Sequence, residues 1–351
     1  MNVRDFIVTK DTILVEVMKR VNATSKGIVY VCEDEDVLLG TITDGDVRRH
    51  IIANGTLDAV ASDVMKTTPI TVALKDRTKA SYVMKKKSIR SVPIIDDNNR
   101  IVDICFIGQD NQALIVHNKI NVPVAIMAGG KGVRLKPYTN ILPKPLMPIG
   151  EKTITEHIMD RFQDAGCKHF DIVVNYKKHL IEAYFEGEEL SYDIDYIEEE
   201  TFLGTAGGLR LLMGKYNETM FVTNCDILIN ADYSDIYEYH KSSGNMATVV
   251  CAVKNMQLPY GVITTSETGR ITAIQEKPDI SSIVNTGFYV IEPEFLERIP
   301  ENKVSQITDV FQSCIDDGIR IGMYPVSEDS WMDMGQFDEL QKMTERLEEF
   351  S

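Results

Sequence analysis

No pair of cysteines in this chain stands at C-x-x-C spacing. The six (Cys32, Cys105, Cys167, Cys225, Cys251 and Cys314) are scattered, which excludes a disulfide frame or a cysteine zinc site and fits buried, reduced thiols. Long apolar runs are also missing; nothing approaches the roughly 20 residues that span a bilayer. The opening stretch, MNVRDFIVTKDTIL, is charged early and shows no apolar core before a cleavage site, so a signal peptide is not expected. Basic charge is scarce: 37 Lys and Arg against 53 Asp and Glu give a net −16. That balance lacks the cationic face on which general nucleic-acid binding depends. The absences together lead to the expectation of a cytoplasmic protein that handles small ligands, with no nucleic acid and no membrane, and places cations only where a ligand needs them.

What the chain carries is an ordinary globular composition, 44% hydrophobic and 26% charged over 351 residues. That length exceeds one average core and implies two domains. The first third repeats itself. GIVYVCEDEDVLLGTITDGDVRR (27–49) aligns with RSVPIIDDNNRIVDICFIGQDNQ (90–112), each a β-branched strand, an acidic turn and a second strand. A helix-like stretch precedes each copy, ILVEVMKRV and KASYVMKKK, with Met18 and Met84 in equivalent places. Such a tandem implies a pseudo-symmetric domain. It resembles a pair of CBS motifs, small modules that bind adenine or other nucleotides. In that family Thr/Ser-x-x-Asp after the second strand holds the ribose, and the first copy has Thr43-Asp44-Gly45-Asp46. A carboxylate can accept from both ribose hydroxyls, and the Thr hydroxyl can donate to phosphate. The resemblance thus implies Thr43 and Asp46 as ligand residues for a regulatory nucleotide; the other reading of Asp46 is a cap on the helix that follows. The second copy has Phe106 and Gln109 at those places, which cannot do this chemistry.

Around VHNKINVP (116–123) polar residues and Pro123 interrupt the pattern, which divides the chain into 1–118 and 119–351. Beyond the boundary strands and helices alternate. VPVAIMA is a continuous apolar run, as a buried parallel strand is. In TITEHIMDRFQDAG, Thr153 and Glu156 form a capping box, Ile154, Ile158, Phe162 and Ala165 share one face, and Gly166 closes the helix. FDIVVN, YDIDYIEEE, MFVTNCD and NMATVVCAV read as further strands, with KKHLIEAYF a helix between the first two. The alternation predicts an α/β fold with ligand chemistry at the carboxyl edge of its strands.

Directly after the first of these strands comes AGGKGVRLKP (128–137), which sets Lys131, Arg134 and Lys136 among three glycines. A glycine loop between a buried strand and a helical region lets backbone N–H groups face phosphate oxygens. It is not a P-loop, because no G-x-x-x-x-G-K-[ST] window exists, and the dinucleotide spacing G-x-G-x-x-G fails after Gly132. Three prolines in ILPKPLMPIG then stiffen the chain around Lys144. MAGGKGVRLKPYTNILPKPLMPI is similar to the signature of the sugar-1-phosphate nucleotidylyltransferases, A-G-G-x-G-T-R-L-x-P-x-T-x-x-x-P-K-P-L-x-P-I, with Val133 in place of the usual Thr. A neighbouring main-chain N–H can still reach phosphate, so Val133 is expected to be tolerated. FLGTAGGL (202–209), TNCD (223–226), PYGVI (259–263), EKP (276–278), NTGFYV (285–290) and WMDMGQFDEL (331–340) match further landmarks in order, and the resemblance covers residues 122–351.

This resemblance implies a Rossmann-like (GT-A-like) mixed sheet with helices on both faces, preceded by the tandem CBS (β-α-β) domain. It also implies a reaction, in which a sugar-1-phosphate oxygen attacks the α-phosphorus of a nucleoside triphosphate and pyrophosphate leaves. The attacking group is already an anion, so the protein's task is to align two polyanions and neutralise charge in the transition state. Arg134 offers a fork for the β- and γ-phosphates and Lys144 a point charge at the α-phosphate. Ala128, Gly129, Gly130 and Gly132 bring backbone close to the nucleotide, and Gly204 and Thr205 belong to the loop that holds the base. Asp226 and Asp333 are the implied Mg²⁺ ligands; taken alone, each reads better as a cap, Asp226 in the turn after its strand and Asp333 on the helix QFDELQKM. Gly261, Glu276, Lys277, Asn285, Thr286 and Gly287 are the implied sugar-phosphate contacts, although an exposed Glu-Lys pair is also common solvated surface.

Guanine presents adjacent N1–H and N2–H₂ donors that one carboxylate can accept, and Glu199 and Glu200 stand just ahead of the base loop. Uridylyl and thymidylyl relatives commonly have Gln there, so an acidic residue resembles the guanylyl branch; a solvated strand end is the competing reading. CBS motifs ahead of such a domain resemble the arrangement of bacterial glucosamine-1-phosphate guanylyltransferases of legionaminic acid synthesis. That implies GTP and glucosamine-1-phosphate as substrates. The alternatives are mannose-1-phosphate with GTP, glucose-1-phosphate with UTP or dTTP, and a non-enzymatic CBS-type sensor. Paired CBS modules often self-associate, which makes a homo-oligomer the expectation.

Overall fold

The computed structural model describes residues 3–335, except 25, 34–35, 88, 107–118 and 189. Gln109, the boundary stretch 116–118 and the helix read from residue 336 onward lie outside the described residues. The described residues form two compact units. One takes residues up to 106 together with 253–284 and 325–328, and the other takes 119–252, 285–324 and 329–335. This differs from a single cut between 118 and 119: two later segments belong with the front of the chain.

The repeat is visible in the first unit as two three-stranded sheets of the same design. Strand β1 (Ile7–Thr9) runs parallel to β2 (Ile28–Glu33), which pairs antiparallel with β3 (Val37–Thr43). Strand β4 (Val72–Ala73) likewise runs parallel to β5 (Ser91–Ile95), antiparallel to β6 (Ile101–Phe106). A register shift falls between Val31 and Cys32 in the first copy and between Ile94 and Ile95 in the second, the same place in the repeat. Helices Leu14–Thr24 and Ala80–Lys87 precede β2 and β5, and each buries its methionine, Met18 and Met84. The copies share a core in which Phe6 meets Phe106 at 5.0 Å and the buried Tyr30 hydroxyl pairs with Ser91 Oγ at 2.9 Å.

Helix Asp44–Asn54 shows which of the two readings of Asp46 the fold uses. Thr43 is its N-cap, and the Thr43 N–H and hydroxyl donate to Asp46 Oδ2 at 2.9 and 2.6 Å. Asp46 N–H returns a bond to Thr43 Oγ1, completing a capping box. Arg49 and Lys66 pair with the other carboxylate oxygen at 2.5 and 3.3 Å. Thr43 and Asp46 are thus fully engaged in the fold, and a ribose would have to displace bonds already made.

The second unit carries a seven-stranded sheet whose strands in chain order are β7 (Val124–Met127), β10 (His169–Val174), β11 (Asp193–Glu198), β12 (Met220–Asn224), β14 (Ala247–Gln257), β17 (Asp279–Ile291) and β18 (Ile321–Val326), with 253–257, 279–284 and 325–326 of the last three counted in the first unit's segments. The order across the sheet is β11-β10-β7-β12-β17-β14-β18. Two small pairs accompany it, β8 (Pro148–Ile149) with β9 (Lys152–Thr153) and β13 (Ile227–Ile229) with β19 (Trp331–Asp333). The remaining pair, β15 (Val262–Thr265) with β16 (Ile271–Gln275), belongs to the first unit. Strands β11, β10, β7 and β12 are mutually parallel, and β17 is antiparallel to β12, which makes the sheet mixed. Helix Ile154–Ala165 starts at the Thr153–Glu156 capping box and ends at left-handed Gly166. Its Phe162 stacks on Phe288 at 5.5 Å and meets Phe221 and Tyr233 in the core. Among the described residues no helix is long and apolar enough to cross a membrane.

Burial alone would raise the Asp46 carboxyl, but the bonds from Thr43 and Arg49 outweigh it and hold it below its ordinary value. An acid with a lowered folded value stabilises above its unfolded value, near 4, and loses that contribution as pH falls through the folded one. Asp46→Ala is therefore expected to weaken helix 44–54 by about 1 kcal/mol at neutral pH, as loss of a cap does. Amide hydrogen exchange should show the deficit shrinking as pH falls below about 4 and vanishing once it passes the lowered folded value, where the wild-type carboxylate takes up its proton.

Candidate active site

The parallel register lines up the ends of four strands. Val174 stands opposite Glu198, Val173 opposite Met127, and Met127 opposite Asn224. The residues that follow, at 128–130, 175, 199 and 225–226, consequently emerge along one carboxyl edge. Ala128 N–H donates to Val173 O at 2.9 Å and Glu199 N–H to Val174 O at 2.9 Å, extending the ladder to that edge. The Ala128 amide is thereby occupied by the sheet, and the unengaged amides begin one residue later. Among the described residues, the N–H groups of Gly129, Gly130, Lys131 and Gly132 meet no acceptor, and a Cβ built on Gly130 would point into open space. Gly132 takes a left-handed φ of 58°, and its carbonyl accepts from Thr139 Oγ1 at 2.9 Å. Val133, in place of the usual Thr, is exposed at the start of the turn Val133–Leu135.

Lys144 opens a 3-10 turn, Lys144–Leu146, behind Pro143. Its ammonium is paired with Asp226, and both side chains are nearly enclosed, 12% and 10% exposed. The second acid is brought in by a three-residue ladder in which Ile227 faces Asp333, reinforced by Met334 N–H to Asp226 O at 3.0 Å. Arg134 completes the group: a Cβ on Gly335 would lie 3.2 Å from Arg134 Nη1 and 3.1 Å from the Asp333 carboxylate. Burial pushes the Asp333 carboxyl up, the Asp226 charge pushes it further, and Lys144 and Arg134 oppose them. Asp333 Oδ1 is buried without a hydrogen-bond partner. Two adjacent carboxylates, one with an unsatisfied oxygen, are the donor set a hard divalent cation takes. His169, Asp171 and Asp195 also approach one another, but Lys215 Nζ already bridges both acids.

Glu199 and Glu200 part company. Glu200 is exposed, whereas Glu199 is 4% exposed and sits between two glycines. A Cβ on Gly129 would fall 2.5 Å from Glu199 Oε2, and one on Gly208 would fall 3.1 Å from Oε1. Leu203 N–H donates to Oε1 at 2.8 Å, and Asn175 Nδ2 donates to the Glu199 carbonyl. Burial raises the Glu199 carboxyl above its ordinary value, partly offset by the Leu203 bond. Gly204, at φ 77°, and half-buried Thr205 open helix Gly204–Arg210, which Ser305 anchors by accepting from the N–H of Ala206 at 3.0 Å. Asn175, Gly208 and Ser305 were missed in the sequence; only long-range contacts reveal them, although Gly208 lies in the quoted FLGTAGGL.

The expected sugar residues divide. In the second unit, Thr286 is buried and donates to Val250 O at 2.7 Å, which makes it a tie between strands. Asn285 Oδ1 accepts from Gly287 N–H at 2.9 Å, while left-handed Gly287 lies where a Cβ would strike Asn224. In the first unit, Glu276 and left-handed Lys277 are exposed at the end of β16, and Glu276 Oε2 lies 3.0 Å from a Cβ built on Gly261.

Residues 124–349 match the family described as Nucleotidyl transferase. The chain belongs to that family. A mannose-1-phosphate guanylyltransferase of Mycobacterium tuberculosis is 35% identical over 61% of this chain and 61% of its own length. A UTP–glucose-1-phosphate uridylyltransferase of Synechocystis is 32% identical over 60% and 59%. The chain thus spans about three fifths of the curated relatives it matches. The solved structure of HddC from Yersinia pseudotuberculosis is similar in fold, with a TM-score of 0.51 at 22% identity over 64% of this chain and 99% of that one. The nucleotidyl transferase region begins with the first strand of the second unit, β7.

Asp333→Asn removes one of two facing like charges. In metal-free buffer it is expected to raise the melting temperature by about 2–4 °C, the shift that ~1 kcal/mol produces in a unit of this size. Scanning calorimetry with a chelator present checks it; a lowered midpoint would mean that the acids do not repel in the free protein.

Proposed function

We propose that this protein transfers a guanylyl group from GTP to a sugar-1-phosphate, with glucosamine-1-phosphate as the first acceptor to test. The observation that carries the reading is the convergence of Arg134, Lys144, Asp226 and Asp333 beside a loop with unengaged amides. A phosphate oxygen of the sugar attacks the α-phosphorus, a new P–O bond forms, and the bond to the β-phosphate oxygen breaks. The electron pair leaves on pyrophosphate. No side chain acts as nucleophile, because the acceptor arrives as an anion. Gly129, Gly130 and Gly132 give the triphosphate amides at close range. Arg134 holds the leaving phosphates with two parallel N–H donors, and Lys144 neutralises charge at the reacting centre. Asp226 and Asp333 would hold Mg²⁺, which bound there supplies further neutralisation of the phosphates.

The choice of GTP rests on Glu199. Its carboxylate lies between Gly129 and Gly208, and, read as the base contact, it suits guanine's adjacent N–H groups. Relatives that use mannose-1-phosphate with GTP and glucose-1-phosphate with UTP define the competing substrates. The first unit, with its duplicated sheets, is read as a CBS pair for a regulatory nucleotide. Titrating the full chain with AMP and ATP by calorimetry, against Thr43→Val, tests that reading, and identical isotherms would remove it.

A triphosphate-by-sugar-phosphate matrix, read as pyrophosphate release, is expected to peak at GTP with glucosamine-1-phosphate; faster turnover with UTP and glucose-1-phosphate would refute the substrate assignment. Asp226→Ala and Asp333→Ala should each lower turnover about a hundredfold or more while leaving the chain folded. Glu199→Gln should cost about 1–3 kcal/mol in GTP selectivity, the price of leaving guanine donors unmatched, and narrow the kcat/KM ratio between GTP and UTP.

A further inference from the structure

We infer that Lys144 is the resident counter-cation of the Asp226–Asp333 pair in the free protein, competing with a divalent ion for Asp226 until a triphosphate offers it another partner. This rests on reading the two acids as a metal pair, as above. Three observations carry it.

Lys144 is not directed at an open cleft in wait for phosphate; its ammonium is already paired with Asp226, in surroundings that shield both groups. Solvent screens the attraction within such a pair little, and taking away one partner leaves the other charge enclosed without compensation. The pairing is also incomplete. Asp333 Oδ1 is buried and unpartnered, so a single ammonium serves one acid and leaves part of the other without a donor. Only a cation that reaches both carboxylates would satisfy the pair.

The backbone under Lys144, finally, is held. Met147 N–H donates to Lys144 O at 3.1 Å, Leu146 N–H to Pro143 O at 3.0 Å, and Thr155 Oγ1 to Pro145 O at 2.8 Å. Flanking Pro143 and Pro145 restrict φ on either side. Any change of partner must therefore come from the side chain, whose four-carbon stem is flexible enough to carry it.

The consequence is thermodynamic coupling. A bare divalent ion must break the Lys144–Asp226 pair, which lowers its affinity for the free protein. With a triphosphate present, the displaced ammonium gains phosphate oxygens instead. Nucleotide thus raises metal affinity, and by linkage metal raises nucleotide affinity by the same factor. Lys144 acts here as a positioning residue for the acids as well as a contact for the nucleotide.

Mn²⁺ binding measured by electron paramagnetic resonance, with and without GTP, tests this. Lys144→Met should bind bare Mn²⁺ at least about tenfold more tightly than wild type, and its affinity should respond less to GTP. Lys144→Gln, which keeps a polar head without charge, should behave alike and guards against a packing artefact of the first variant. Bare Mn²⁺ affinity unchanged or weakened in both variants, while wild type binds Mn²⁺ with GTP, would overturn the inference alone. Wild type that takes up no Mn²⁺ even with GTP would sink the metal-pair reading itself, and this inference with it.

Discussion

Two like charges are held side by side by three pairs of residues. The ladder between Ile227–Ile229 and Trp331–Asp333, extended by Met334 N–H to Asp226 O, brings Asp226 beside Asp333. Enclosed carboxylates in contact demand positive charge. The features around them read as answers to that demand: Lys144 on a proline-braced turn, Arg134 on the glycine loop, and an oxygen of Asp333 left unpaired. An acidic chain concentrates cations here because this is where its own anions are forced together.

The parallel register supplies the second constraint. Four strands ending in one row deliver the loop, Asn175, Glu199 and Asp226 to the same edge without any of them being neighbours in sequence. Glu199 can be packed there only because Gly129 and Gly208 lack side chains on either side of it. The glycines thus leave room for a buried carboxylate beneath the loop.

What the sequence disclosed is what is decided locally. The glycine-proline run, the Thr153 capping box, the apolar face of its helix and the tandem repeat each declare themselves within a few residues, and the structure has them. The α/β character follows from the strand and helix alternation, whereas the mixed sheet was implied only by the family resemblance. What could not be read depends on distant partners. Nothing near Lys144 says that it meets Asp226, and nothing near Thr286 says that Val250 O receives its hydroxyl. Adjacent Glu199 and Glu200 differ because consecutive residues at a strand end face opposite ways, which composition does not encode. Asp46 had two readings of equal standing, and only the bonds from Thr43, Arg49 and Lys66 show how the fold employs it.

The first unit is assembled from three separate segments, and the last of them ends at residue 328. Its duplicated sheets emerge from the ribosome early, yet they wait for 253–284 and 325–328 before the unit is whole. At roughly 5–20 residues per second of synthesis, the wait amounts to about 10–40 s. During that interval the helix bearing Lys19 has no Asp279 to pair with. A chain truncated after the repeat would lack both of the later segments that complete this unit.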